Sequence, residues 1–350
     1  MKIGIAGGGL MGRLMAHGCS QLGHEVHVFE AGPEAPAVMT ERAAAFTSAG
    51  MLSPIAEMEA GGEVVYALGI ESMRLWPQIH RACNQAFDLR INGSLMVCHP
   101  ADRPSAERIL AHTRPRPTEP QPAPLSAQEL ETLEPALKPR LHAWMLPNEG
   151  HLFPAEALEA LRKYSPNSRW EFNSPVLEVN PGSIRTERSA MNFDWVFDCR
   201  GLGARGSSMP LRGVRGEIFT LMPPPGCVIQ RPIRLMHPRW RVYLVPRPSG
   251  EVVVGATEIE SEDRSPTSVQ SNLELLSAAF SIAPSLAEAR IVSSDVNLRP
   301  ALPDNLPQVM GRPGLTAING LFRHGWLLAP ALMQQALAAM GATREEHALV

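Results

Sequence analysis

Near the start of the chain, Gly7-Gly8-Gly9-Leu10-Met11-Gly12 has the spacing G-x-G-x-x-G. Gly7, Gly9 and Gly12 in this pattern let backbone N–H groups approach a pyrophosphate at the positive end of a helix. Glu30 follows Gly12 by 18 residues, a place from which a carboxylate accepts hydrogen bonds from ribose hydroxyls. Together these residues predict an adenine dinucleotide, with FAD and NAD both open. A second kind of chemistry is offered by Arg299, in the run Asn297-Leu298-Arg299-Pro300. A planar guanidinium can grip a carboxylate through two hydrogen bonds, which fixes direction as well as position. Tyr243 lies within a β-rich run, where alternate side chains share a face and its hydroxyl can donate one more bond.

Other reactive residue types read as structural. His24 and His27 are three apart but straddle a turn and a strand, so no metal site is expected. Arg231, Arg234, Arg239 and Arg241 form a basic stretch. With few aromatic residues between them, they read as a solvated face or an anion-attracting rim, and no nucleic-acid partner is expected. Cys199 sits in an apolar strand and reads as a small packed residue.

The elements that must hold these groups are legible in outline. Residues 2–6 read as a short buried strand, 10–22 as a helix that Gly23 stops, and 25–30 as an alternating strand. That is a β-α-β unit. Helical patterns follow at 63–84, 126–133 and 154–164. A last helix is expected at 330–340, with Pro330 in its first turn and Gly341 as its stop. Residues 241–246 and 251–256 predict a hairpin joined by Arg-Pro-Ser-Gly, and 176–179 with 183–186 predict another. Residues 193–198 read as a further apolar strand. The segment 114–124, with prolines at 115, 117, 120, 122 and 124, is expected to be an extended surface loop, because each proline lacks a backbone donor.

The chain has 350 residues, enough for two domains. Lys and Arg number 32 against 35 Asp and Glu, so 32 − 35 = −3, which excludes a strongly basic binder or an acidic tail. Five cysteines without CxxC spacing argue for a reducing compartment, and the chain is expected to be cytoplasmic. The glycines by position 9 are not expected in a secretion signal. The longest apolar run, 326–333, is 8 residues broken by Pro330, and no integral membrane segment is expected where about 20 are needed.

Four segments in this order carry a resemblance: residues 43–54 (AAAFTSAGMLSP), 243–258 (YLVPRPSGEVVVGATE), 297–304 (NLRPALPD) and 319–330 (NGLFRHGWLLAP). Together they resemble the D-amino-acid-oxidase-like FAD oxidoreductases, glycine oxidases in particular, over about residues 2–340. The resemblance implies an α/β chain: a Rossmann-like FAD-binding domain carrying a second α+β substrate domain built on a mixed, largely antiparallel sheet. The expected division is 1–82, 145–208 and 297–350 for FAD, and 83–144 and 209–296 for substrate.

The resemblance further implies flavin contacts. Leu10 and Met11 would offer backbone to the pyrophosphate, and Glu30 with Ala31 would hold the adenosine ribose. Ala44, Ala45, Ala49, Gly50 and Met51 would line the flavin, and Val176 would meet the adenine through its main chain. The loop Leu321, Phe322, Arg323, His324, Gly325, Trp326 and Leu327 would wrap the pyrimidine end of the isoalloxazine. The dipole of the Pro330 helix would stabilise charge at flavin N1 and O2. Arg299 and Tyr243 would clamp the substrate carboxylate, with Arg323 near its amino end.

The implied reaction is oxidative deamination of glycine or another small amine or amino acid. Hydride passes from Cα to flavin N5, an imine forms, and oxygen reoxidises the flavin to release hydrogen peroxide. The imine would supply thiamine thiazole synthesis. The rival readings are a dehydrogenase of the same fold with a quinone acceptor and a non-catalytic flavoprotein subunit; a homo-oligomer is compatible with each. Two positions depart from the family pattern, Ser53 for a glycine and Glu258 where a methionine occurs. Both are expected near the substrate entrance, where they bear on which amines are accepted.

Overall fold

The computed structural model describes residues 1–34, 43–112, 121–207, 209–239 and 241–348. Its first sheet has six strands, in the order Gln308–Arg312, Leu315–Asn319, Trp195–Asp198, Lys2–Ala6, Glu25–Phe29 and Ser168–Glu171. Neighbours run parallel except the outer pair Gln308–Arg312 and Leu315–Asn319. The central strand is apolar at Ile3 and Ile5 and small at Gly4 and Ala6, because it is covered on both sides. Helices Leu10–Gln21, Pro154–Lys163 and Gly325–Ala348 cover one face. The three-stranded antiparallel sheet 176–192 covers the other through Ile184 and Met191, with Phe193 just beyond its last strand.

The second large sheet has eight strands, in the order Arg290–Ala301, Arg212–Met222, Val252–Gly255, Tyr243–Pro246, Ile233–Leu235, Ser94–Cys98, His142–Leu146 and Ala123–Leu125. All pairs are antiparallel except Ile233–Leu235 with Ser94–Cys98. Its core packs against helix Val269–Ile282, whose first turn is capped by the Ser268 hydroxyl accepting from the Ser271 amide. The α/β architecture with a mixed, mostly antiparallel second sheet is therefore present. The expected domain boundaries at 144/145 and 296/297 fall inside continuous strands, His142–Leu146 and Arg290–Ala301.

Several elements differ from expectation for physical reasons. The last helix starts at Gly325, five residues before Pro330, and runs through Gly341 to Ala348. An interior proline leaves the carbonyl of residue i−4 without its donor; here the Trp76 indole N–H supplies one, 3.0 Å from the Trp326 oxygen. The pattern expected at 63–84 is the second part of a longer element, Pro54–Ala82, kinked at Gly62 with φ 63°. Of the proline-rich segment, 114–120 lies outside the described residues, while Pro124 sits in the sheet-edge strand Ala123–Leu125. An edge position spares proline a ladder bond. Among the described residues no helix is long and apolar enough to cross a membrane.

Candidate active site

Two adjoining cavities lie between the sheets. One, of about 410 Å³, is lined at one end by Gly7, Gly9, Leu10, Met11, Glu30 and Ala31, and at the other by Ala44, Ala45, Leu321, Phe322, Gly325 and Trp326. The other, of about 590 Å³, is lined by Ala49, Gly50, Met51, Tyr243, His324 and Leu327, and also by Ser53 and Glu258. Thr47, Ser48, Arg299, Arg323 and Trp326 line both and mark the junction. Gly12 and Val176 face neither. Gly12 is a packing glycine instead: a Cβ there would stand 1.8 Å from the Gly7 carbonyl oxygen. The Val176 carbonyl accepts from Arg200, 3.2 Å away, and it is Arg200 that lines the cavity.

The smaller cavity fits a dinucleotide. Helix Leu10–Gln21 opens at Gly9 with no capping side chain and no acid in its first turn, so its amide pole stays free for an anion. Gly7 takes φ +97°, which a residue with a side chain rarely adopts. Glu30 lines the far end while accepting from the Gly8 amide at 2.5 Å and the Gly32 amide at 2.9 Å. At the opposite end Gly325 begins the second helix that points into the cavity, again without an acid in its first turn. The dipole assigned to Pro330 thus belongs to Gly325.

Arg299 and Tyr243 come together across the eight-stranded sheet. Each lies flat over a neighbouring strand because that strand offers a glycine. A Cβ on Gly216 would stand 2.3 Å from the Arg299 guanidinium carbon, and one on Gly255, paired opposite Tyr243, would stand 2.6 Å from the phenol oxygen. Arg299 donates to the Arg215 carbonyl at 3.3 Å and, among the described residues, has no ion-pair partner. Burial lowers its pKa, while Tyr243 nearby raises it. Burial raises the Tyr243 pKa, against Arg299. The phenol therefore stays a neutral donor beside an uncompensated cation, an arrangement that receives a carboxylate.

Arg323 is placed differently. It lines both cavities, but its guanidinium is held by two carboxylates, Nε 3.2 Å from Glu57 Oε2 and a terminal nitrogen 3.0 Å from Glu258 Oε2. Glu57 also binds Arg234 and has His324 Nδ1 3.2 Å from Oε2, without hydrogen-bond alignment. Burial would push the Glu57 carboxyl up; Arg234, Arg323 and His324 overcome this and hold it well below the usual range. Glu57 in turn raises the Arg323 pKa against burial, with Glu258 adding to the effect. The basic stretch is thus neither a free face nor a uniform rim. Arg231 and Arg234 are half-buried and paired with Glu134 and Glu57, and of the four only Arg239 and Arg241 reach the cavity.

Several positioning residues escaped the sequence reading. Glu57 lies ahead of the helix expected at 63–84, and only the structure places it in the first turn of the longer element Pro54–Ala82. Gly255 falls in the strand expected at 251–256 and Gly216 in a segment given no element there; an isolated strand glycine is a signal of close approach, and it was available at Gly255. Arg13 donates to the Gly8 carbonyl at 2.9 Å and to the Leu158 carbonyl at 2.8 Å, between the rings of Phe46 and Trp170. Arg247 donates to the Ala49 carbonyl at 2.9 Å, and the Trp326 indole donates to the Ser48 hydroxyl at 2.7 Å. Between them they fix the segment that runs from one cavity to the other. Glu149 accepts from the Ile55 and Ala56 amides at 2.7 and 3.0 Å, capping the helix that bears Glu57, and burial pushes its carboxyl up to about 7.

Known proteins share this architecture. A Rhizobium etli protein named thiamine biosynthesis oxidoreductase ThiO is 33% identical over 344 residues, covering 95% of this chain and 94% of its own. A Geobacillus kaustophilus glycine oxidase is 23% identical over 355 residues, covering 94% and 89%. The crystal structure of glycine oxidase from Geobacillus kaustophilus superimposes with a TM-score of 0.84 at 22% identity, covering 97% of this chain and 94% of that one. That of iminodiacetate oxidase from Chelativorans sp. gives 0.80 at 20%, covering 97% and 95%. With the profile of the DAO family of FAD-dependent oxidoreductases matched from residue 2 to 340, and a cradle suited to that cofactor, the chain belongs to this family of FAD enzymes.

Proposed function

We propose that the protein oxidises glycine or another small amino acid to its imine. The observation that carries the reading is Arg299: an unpaired guanidinium beside the Tyr243 hydroxyl, at the junction of a dinucleotide cavity and a second chamber. A carboxylate bound there is held at two points, so the carbon next to it has a defined direction. FAD, when bound, supplies the two-electron acceptor and passes the electrons to dioxygen. The chain's own part is to anchor the acid group, to keep Tyr243 protonated, and to shield the chamber with Met51, Leu327 and Trp326. No side-chain base is needed when the amine enters uncharged. His324, an imidazole lining the chamber, is buried against Glu57. A role for the imine in thiazole synthesis is supported by the name of the Rhizobium relative.

The test is anaerobic mixing of the purified yellow protein with glycine, sarcosine and D-alanine. At least one should bleach the flavin band, and admission of air should restore it with release of peroxide. Failure of all three to bleach it overturns the reading. Bleaching that air restores slowly, with fast reduction of a quinone dye, would replace dioxygen by a quinone as acceptor.

A further inference from the structure

We propose that Glu258 sets the charge class of the ligand this chamber accepts: one carboxylate is admitted and a second is turned away. The inference rests on the reading of Arg299 as the carboxylate anchor and goes beyond it to selectivity. Four arginines line the chamber. Arg241 pairs with Glu59 at 2.9 Å, Arg239 lies 3.7 Å from Glu274, and Arg323 is held by Glu57 and Glu258 together. Among the described residues Arg299 is thus the cation of this chamber without an ion-pair partner.

A chamber with one free positive charge neutralises one carboxylate. The next anionic group would meet Glu258, which is partly exposed to the cavity and whose negative charge also acts on Arg299. The Glu258 carboxylate is directed by Arg323, which donates to it at 3.0 Å. The backbone beside it is fixed at Thr257, whose amide donates to the Glu217 carbonyl at 3.2 Å and whose hydroxyl accepts from the Glu217 amide at 2.9 Å. Glu258 acts twice: it repels a second anion directly, and it occupies the guanidinium of Arg323 that could otherwise receive one.

The experiment uses the FAD-loaded protein and reads dissociation constants from the perturbed visible flavin spectrum, with malonate and its monomethyl ester as probes. They differ in charge while remaining close in size. The wild-type protein should bind the ester about tenfold more tightly, the discount for a solvent-screened carboxylate being included. Glu258→Gln should close that gap, whereas Glu258→Asp, which keeps the charge, should preserve it. Equal wild-type affinities, no binding of the ester, or a gap unchanged in Glu258→Gln would each overturn the proposal. These constants are read without turnover, so failure of the oxidase reading leaves them interpretable.

Discussion

The dinucleotide cavity and the substrate chamber share a wall but are assembled by different means. The first draws on glycines and backbone, and the segments at one end, Gly7 to Met11 and Glu30 to Ala31, come from a single β-α-β unit. The second is built from side chains brought together across the fold: Glu57 meets Arg234 at a separation of 177 residues and Arg323 at 266. Backbone sites need glycines at fixed local spacing, so they leave a mark in the sequence. Charge-built sites need only the right tertiary meeting, and each partner alone is an ordinary surface-type residue. The difference also sets their failure modes, since a backbone cradle is lost by added volume and a charge cluster by removal of one member.

Four substitutions sharpen this contrast. Glu57→Gln should do the most damage, because it leaves the largely enclosed Arg234 without its carboxylate partner and Arg323 with Glu258 alone. The cost of about 3–5 kcal/mol for breaking a buried pair should appear as a large drop in the thermal midpoint; an unchanged midpoint would show that solvent compensates. Since the Glu57 carboxyl is held below its ordinary value of 4.5, its stabilisation is complete above that pH and is lost as the pH falls below it. The variant should lack this acid limb.

Arg299→Ala comes next, weakening carboxylate binding by about 2–5 kcal/mol with FAD content intact. An unchanged apparent affinity would mean that the anchor is elsewhere. Gly216→Ala should cost about 1–3 kcal/mol of ligand binding by lifting the guanidinium off its strand; ordinary carboxylate affinity would show that Arg299 works from another rotamer. Tyr243→Phe, the mildest, should raise the substrate KM by about tenfold, as expected for one hydrogen bond to a charged group at about 1.5 kcal/mol. A kcat loss without a KM change would assign the phenol to a later step.

The pattern of what the sequence disclosed follows from the same contrast. The G-x-G-x-x-G turn, the strand at Lys2–Ala6 and the hairpin of Tyr243–Pro246 with Val252–Gly255 were readable because each is specified within a short window. Arg299 and Tyr243 were singled out as a pair, yet the glycines that let them meet were not, since Gly216 and Gly255 act on residues of other strands. Arg323 was identified but its neutralisation was not, because Glu57 belongs to a helix far away in sequence. Pro330 and Gly341 misled the helix boundaries. Local rules treat proline as a start and glycine as a stop, while here a tertiary donor and a long packed partner override both.

The proline that interrupts the C-terminal helix has a mechanical effect. Trp76 donates to the Trp326 carbonyl, and the Ala331 amide donates to Ser72 at 3.1 Å. Both borrowed bonds come from the helix whose opening turn carries Glu57. The two rods are therefore riveted side by side at the break. Arg323 and His324, just ahead of the second rod, also meet Glu57 on the far side of the Gly62 kink, so the two elements are tied at a third point beside the larger chamber.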